Sequence, residues 1–316
     1  MYMLGIDIGG TNTVVGVVDD SFNILSSVSF KTLAPRPAEE LCRDIRKAAQ
    51  EAAEKAGIAY SDIKSAGADS PGVISNGICE YANNLGFVDV PLEKLISEAL
   101  EMPAVLCNDG NAAAYGEYIA GCGKGKKSLA MLTIGTGIGG GFIVGDKLFA
   151  GFDDFGAEIG HFVVNANGRK CGCGTRGCIE SYCSATALIK DTRRAMKKNP
   201  NSLLWEICPD ISKVNGKTVF RAAEMGDRVA QNVLDNFIKY LAIGVYNIIV
   251  LFRPDVICIG GGMSREEEKL LDPVRKIIAE NSLGSLIGKH TEIRAAKLYG
   301  NAGLIGAAAL AAHLEK

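Results

Sequence analysis

The sequence lacks an excess of either charge: 34 lysines and arginines stand against 36 aspartates and glutamates over 316 residues, a formal net charge of -2. That balance gives no electrostatic reason to expect nucleic acid or an anionic membrane as a partner. A long apolar run is missing too. The longest uncharged helical stretch, residues 240–252, is too short to cross a bilayer, and Arg253 ends it. No secretory leader precedes the first apolar strand, which begins at Met3, so a cytoplasmic protein is expected. No glycine turn is followed by the Gly-Lys-Ser/Thr of a P-loop. The dinucleotide fingerprint is also unmet, because the first glycine turn runs into a second β-segment and not into a helix. Ten cysteines could suggest a disulfide scaffold. Cys42, Cys79, Cys107, Cys122, Cys183, Cys208 and Cys258 sit singly in apolar or helical surroundings, where a reduced thiol is the usual occupant.

The other three cysteines are clustered. Cys171, Cys173 and Cys178 follow His161 by ten residues and more, and three thiolates with one imidazole complete a tetrahedral zinc shell. A complete shell is structural. Its metal would fix a loop and hold the polar residues that the loop carries, Glu158, His161 and Glu180.

At this length, with 47% hydrophobic and 22% charged residues, the chain has room for two domains with sizeable cores. Leu4, Ile6 and Ile8 alternate, Gly9 and Gly10 turn, and residues 13–18 form a second β-run. Helical spacing follows over 37–57, a strand over 63–68 ending at Ser70-Pro71-Gly72, a strand over 104–107 and a helix over 110–121. From Ser128 the chain repeats itself, because 132–137 aligns with 6–11 as strand, Gly/Thr turn and strand. Helices are expected over 180–198 and 226–252, and a buried strand over 255–259 before Gly260-Gly261-Gly262. Ser264 and Glu267 have the spacing of a capping box for the next helix. A last apolar helix is expected over 301–314. Two related α/β halves with a cleft between them fit this order.

Three glycine turns at strand ends can offer backbone N–H groups to phosphate, although each alone could be a packing turn. Asp7 lies in an apolar strand beside the first of them. It needs either a metal–phosphate complex or neighbouring turn amides as its partner. Asp109 precedes a helix, as an N-cap would. A carboxylate there could equally accept a hydroxyl proton during phosphoryl transfer, since a helix N-terminus favours the ionised form. Asn108 beside it can donate to and accept from a sugar hydroxyl.

Gly5-Ile-Asp7-Ile-Gly9-Gly10-Thr11, Asn108-Asp109, Gly156-Ala-Glu158-Ile-Gly160-His161 and Cys171-Gly-Cys173-Gly-Thr-Arg-Gly-Cys178-Ile-Glu180 together resemble the ROK family of sugar kinases and sugar-responsive repressors. The match runs from residue 3 to about 312. The resemblance implies an α/β fold of two ribonuclease-H-like domains of the actin/hexokinase type with an interdomain cleft. One domain is expected over 1–118 plus 301–316 and a larger one, with the zinc loop, over 119–300. It implies Asp109 as general base, with Pro71, Gly72, Asn84, Asn108, Glu158, His161 and Glu180 around the sugar. Asp7, Gly9, Gly10, Thr11, Asn12, Gly135, Thr136, Gly137 and Gly261 would serve ATP and Mg²⁺, and His161, Cys171, Cys173 and Cys178 would hold Zn²⁺.

The implied reaction is phosphorylation of a hexose 6-hydroxyl. Residues 83–87 and 90–92 resemble glucokinase-type members, and N-acetylmannosamine or another hexose or N-acetylhexosamine is the alternative acceptor. A sugar-sensing regulator would carry a DNA-binding domain ahead of Asp7, where six residues leave no room for one. A homodimer is the family-level expectation.

Overall fold

The computed structural model describes residues 1–281 and 290–312. Period-two alternation builds the first sheet. The strands β1 (Tyr2–Ile8), β2 (Asn12–Asp19) and β3 (Ile24–Lys31) form an antiparallel meander. Helix α1 (Ala38–Ala56) crosses over to β4 (Ile63–Ser70), which pairs parallel with β1. Its Leu41, Cys42, Ile45, Ala48 and Ala52 recur at helical spacing and are buried. Three short strands, β5 (Val73–Ser75), β6 (Ile78–Ala82) and β7 (Phe87–Val90), make a small separate sheet. Helix α2 (Leu92–Leu100) and strand β8 (Ala104–Asn108) complete the sheet order β3-β2-β1-β4-β8.

Helix α3 (Asp109–Ile119) follows directly. The strands β9 (Ser128–Ile134), β10 (Ile138–Val144) and β11 (Lys147–Phe149) repeat the meander. Then come α4 (Glu180–Cys183), α5 (Ala185–Lys198), α6 (Leu204–Ile207), α7 (Gly216–Glu224) and α8 (Arg228–Phe252). The strands β12 (Val256–Gly260) and β13 (Glu292–Ala295) flank α9 (Glu267–Asn281). The second sheet is ordered β11-β10-β9-β12-β13, a meander followed by two further strands, as in the first sheet. The repeat legible at 6–11 and 132–137 is therefore a repeat of topology.

Two compact units result, one of residues 1–131, 140–157 and 297–316, the other of 132–139 and 158–296. In the first, α10 (Ala302–Ala311) packs on β1, β4 and α3. It is apolar on nearly every side because it is buried on nearly every side. In the second, α8 packs against α5, α7 and α9.

Three expectations need correction, and a fourth reaches beyond the described residues. The helix over 180–198 is broken at Ser184, whose hydroxyl accepts from the Ala187 N–H at 3.1 Å and caps α5. The uncharged stretch 240–252 is the end of a 25-residue helix, α8, whose charged residues Asp235 and Lys239 are exposed. By length and composition α8 could cross a membrane, but half of its apolar window is buried in protein, as in a core helix. Ser264 lies before the start of α9 at Glu267, and its hydroxyl donates to the Gly261 carbonyl at 2.8 Å inside a short 3₁₀ turn. The last helix is described to Ala311, and Leu314 lies outside the described residues.

Candidate active site

In the first unit the parallel register sets Asp7 opposite Asp69, and Asp69 opposite Cys107, so the ends of β1, β4 and β8 gather carboxylates. Asp109 is the first residue of α3. The cap is Asn108, and not Asp109 as the sequence also allowed: its Oδ1 accepts from the Gly110 and Asn111 N–H groups at 2.8 and 3.3 Å. Its Nδ2 donates to the Gly72 carbonyl at 3.0 Å, which leaves one amide hydrogen for a ligand. Freed from capping, the Asp109 carboxylate accepts the adjacent Gly110 N–H at 2.8 Å.

Burial raises the pKa of Asp109, against the lowering effect of that N–H. Burial first, and then the Asp109 charge, push Asp7 up to about 6. Asp69, missed by the sequence reading, is the extreme member. It is 1% exposed, and neither carboxyl oxygen has a hydrogen-bond partner among the described residues. Burial, then Asp7 and Asp109, hold its pKa well above the usual carboxylate range. The signal was available: Asp69 interrupts an apolar strand just as Asp7 does.

The first glycine turn is tight, with the Gly9 N–H donating to the Asn12 carbonyl at 3.0 Å and Thr32 Oγ1 donating to the Gly9 carbonyl at 2.6 Å. Thr11 and Asn12 are exposed on it. Gly10 approaches Asn84: a Cβ there would lie 3.1 Å from the Asn84 Cβ. Asn84 is exposed in the turn joining β6 to β7, and Pro71-Gly72 joins β4 to β5. The first unit thus brings Asp7, Gly9, Gly10, Thr11, Asn12, Pro71, Gly72, Asn84, Asn108 and Asp109 to strand ends and the loops that leave them.

The second unit carries the other residues. The turn Gly135-Thr136-Gly137 is closed by the Gly135 N–H donating to the Gly137 carbonyl at 3.0 Å. The start of α5 supports it, because the Ala185 N–H donates to the Gly135 carbonyl and Thr186 Oγ1 to the Thr136 carbonyl, at 2.9 and 2.7 Å. Glu180 Oε2 accepts from the Ile138 N–H at 3.0 Å, and a Cβ at Gly137 would collide with that oxygen. Glu180 therefore braces the glycine turn, a role that residues 42 positions apart do not announce. Gly261 has φ +86°, and a Cβ there would run into the Ile134 backbone at the end of β9. Only glycine fits.

One ligand atom from each of His161, Cys171, Cys173 and Cys178 lies within 4.8 Å of all the others. Cys171 Sγ is 3.6 Å from His161 Nδ1, and Cys173 Sγ is 3.6 Å from Cys178 Sγ. Ligands about 2.0–2.3 Å from a tetrahedral zinc stand about 3.5–3.8 Å apart, so the four donors fit the ion. Burial, then the neighbouring thiols, push Cys178 up to about 12, a cost that a bound cation would remove. Nδ1 faces the thiols, which leaves Nε2 of His161 for a second partner. Glu158 is exposed, and its carbonyl accepts the His161 N–H at 3.0 Å. Glu180 Oε1 lies 3.7 Å from Cys171 Sγ, so the metal loop and the glycine turn meet at one carboxylate.

The family model described as the ROK family matches residues 3–313. A glucokinase of Thermotoga maritima is 37% identical over 311 residues, covering 98% of this chain and 96% of that protein. A glucokinase of Streptomyces coelicolor is 34% identical over 315 residues, with 98% and 96% covered. Among solved structures, a ROK family glucokinase from Streptomyces griseus, in complex with glucose and AMPPNP, matches with a TM-score of 0.81 and 34% identity, covering 99% of this chain and 100% of that one. A ROK hexokinase from Thermus thermophilus matches with a TM-score of 0.83 and 31% identity, with 100% and 99% covered.

Proposed function

The chain belongs to the ROK family, and from that premise we propose that it is an ATP-dependent kinase of a hexose 6-hydroxyl, with glucose as its acceptor. The observation that carries the proposal is Asp109: a carboxylate relieved of capping by Asn108, with a raised pKa, at the N-terminus of α3. A base of that kind takes the proton of O6 as the oxygen attacks the γ-phosphorus, and ADP leaves. Relatives named glucokinase, 34–37% identical over nearly their whole length, support glucose over other hexoses.

Asn84, Asn108, Glu158, His161 and Glu180, with Pro71 and Gly72, hold the sugar in this reading. Backbone N–H groups of Gly9, Gly10, Thr11 and Asn12, and of Gly135, Thr136 and Gly137, hold phosphates, and Gly261 lies near the nucleoside. Asp7 would hold the magnesium that accompanies ATP, which would supply charge neutralisation for the transferred phosphoryl group. His161, Cys171, Cys173 and Cys178 would hold a structural zinc, which would fix the loop shape that presents His161 Nε2 and Glu180. We further propose a cytoplasmic homodimer, in keeping with ten free cysteines.

The test is a coupled ADP-release assay over glucose, mannose, fructose, allose, N-acetylglucosamine and N-acetylmannosamine. The highest kcat/KM is expected for glucose. A larger value for an N-acetylhexosamine would overturn the acceptor, and no ADP release with any of them would overturn the kinase.

A further inference from the structure

Glu180 braces the turn at Ile138, yet the segment that carries it, α4, is a single helical turn. So short a helix fixes several backbone torsions for few hydrogen bonds and does not hold itself. Within it the Cys183 N–H donates to the Ile179 carbonyl at 2.8 Å, and the Ser184 N–H to the Glu180 carbonyl at 3.2 Å. The last carbonyls of a helix have no partner inside it and need one from outside.

Arg169, two residues ahead of Cys171, supplies that partner. Its Nη1 donates to the Ser181 carbonyl at 3.0 Å and pairs with Asp191 of α5 at 2.8 Å. Its guanidinium carbon lies over the Tyr182 ring, 4.6 Å from the centroid. Its backbone N–H donates to the Tyr182 hydroxyl at 2.8 Å. That hydroxyl has room because residue 168 is glycine: a Cβ there would lie 2.1 Å from it. The Arg169 carbonyl accepts the Gly177 N–H at 2.8 Å, which closes the foot of loop 171–178. Behind the buried Tyr182 ring stands Tyr240 of α8, with 4.0 Å between centroids, and its hydroxyl accepts from Asn165 Nδ2 at 3.1 Å.

We propose, on the kinase reading above, that Arg169 is a positioning residue for the sugar site: by clasping α4 it sets where Glu180 stands. A half-exposed ion pair alone would contribute little. Here the carbonyl, the ring and the ring's hydroxyl all belong to the turn that begins at Glu180. None of these ties uses a side chain of the zinc set, so the clasp acts beside the metal and not through it.

The role assigned to Glu180 is to hold sugar, while the proton falls to Asp109. Displacing Glu180 therefore weakens glucose equally in the ground state and the transition state, which raises KM and leaves kcat. The glycine turn keeps its other supports, the Ala185 N–H on Gly135 and the Thr186 hydroxyl on Thr136. Glucose binding should accordingly suffer more than ATP binding.

The test compares the full chain with Arg169→Ala, Asp191→Asn, Glu180→Ala and the double variant Arg169→Ala, Glu180→Ala. Steady-state kinetics with glucose, ATP and magnesium are paired with calorimetric titration of glucose, zinc analysis and melting temperature. Arg169→Ala should raise the glucose KM and Kd about tenfold, with kcat and the ATP KM changed by less than about threefold. Zinc per chain should stay the same. Asp191→Asn, which keeps the arginine and one of its two side-chain acceptors, should raise the glucose KM about threefold, and it decides the matter if Arg169→Ala does not fold. In the double variant Arg169→Ala should add less than about twofold to the effect of Glu180→Ala, because both act through one side chain.

A lower melting temperature with an unchanged glucose KM would make the clasp structural only and overturn the inference. Independent, multiplying effects in the double variant would overturn it too, as would loss of zinc along with the rise in KM. If the parent phosphorylates glucose but Glu180→Ala leaves its KM intact, the inference fails and the kinase stands. If the parent phosphorylates no sugar, the kinase reading fails and takes the inference with it.

Discussion

Asp7→Asn should make the protein more stable while crippling it. The Asp7 carboxyl is half-buried at the end of β1, and its pKa rises from 3.8 to about 6, by burial and then by Asp109. The native state thus holds this proton more tightly than the unfolded chain. The stabilisation is full below pH 3.8 and is lost as pH rises through 6, a swing of about 3 kcal/mol from the two values. Asparagine has the same shape and carries no charge. The stability gap between variant and parent should therefore widen by up to about 3 kcal/mol between pH 3.5 and pH 7.5. Urea unfolding followed by far-ultraviolet circular dichroism across that range measures it. Activity with ATP should fall at the same time, as expected where a site keeps a costly charge for function. A gap that stays constant with pH, or an Asn variant less stable than the parent at pH 7.5, would refute the electrostatic account.

Four other outcomes follow from the same geometry. Gly261→Ala forces a side chain into the Ile134 backbone at φ +86° and should destabilise the protein by more than about 1 kcal/mol, with a higher KM for ATP; a silent substitution would mean that the end of β9 yields freely. Ser184→Ala removes the cap of α5 and should cost about 1 kcal/mol in thermal or urea unfolding, with no change expected if the break at Ser184 is held by packing alone. Elemental analysis should find about one zinc per chain, and chelation should lower the melting temperature; metal-free protein melting at the same temperature would contradict a structural site. Finally, kcat/KM should fall on acidification at a pH above the ordinary aspartate range, because burial raises the pKa of Asp109. An acidic limb at or below pH 4 would place the working base elsewhere.

Where a local period decides structure, the sequence was readable. Alternation in β1 and β2 and helical spacing in α1 need only neighbours along the chain, and the Gly/Thr repeat exposed the second meander before any coordinates. The clustering of His161 with the three cysteines was legible for a similar reason, since the four residues span one short segment. What stayed hidden depends on partners far apart in sequence. The bond between Glu180 and the Ile138 N–H, and the burial of Asp69 between Asp7 and Asp109, exist only after the strands have been brought together. Boundaries failed where a polar side chain overrules apolar spacing, as Ser184 does by capping α5 and Asn108 by taking the cap that Asp109 could have supplied. Counting uncharged residues hid half of α8, whose charges lie on its solvent face.

The central claim is that Asp109 is the base that deprotonates the sugar hydroxyl. Asp109→Asn keeps the shape of the side chain and removes its basicity, so steady-state kinetics with glucose and ATP, paired with calorimetric titration of glucose, test it directly. A fall in kcat of about 10²–10⁴-fold with glucose affinity changed by less than about threefold is predicted. Turnover retained within about tenfold of the parent, or glucose binding lost along with it, would contradict the account.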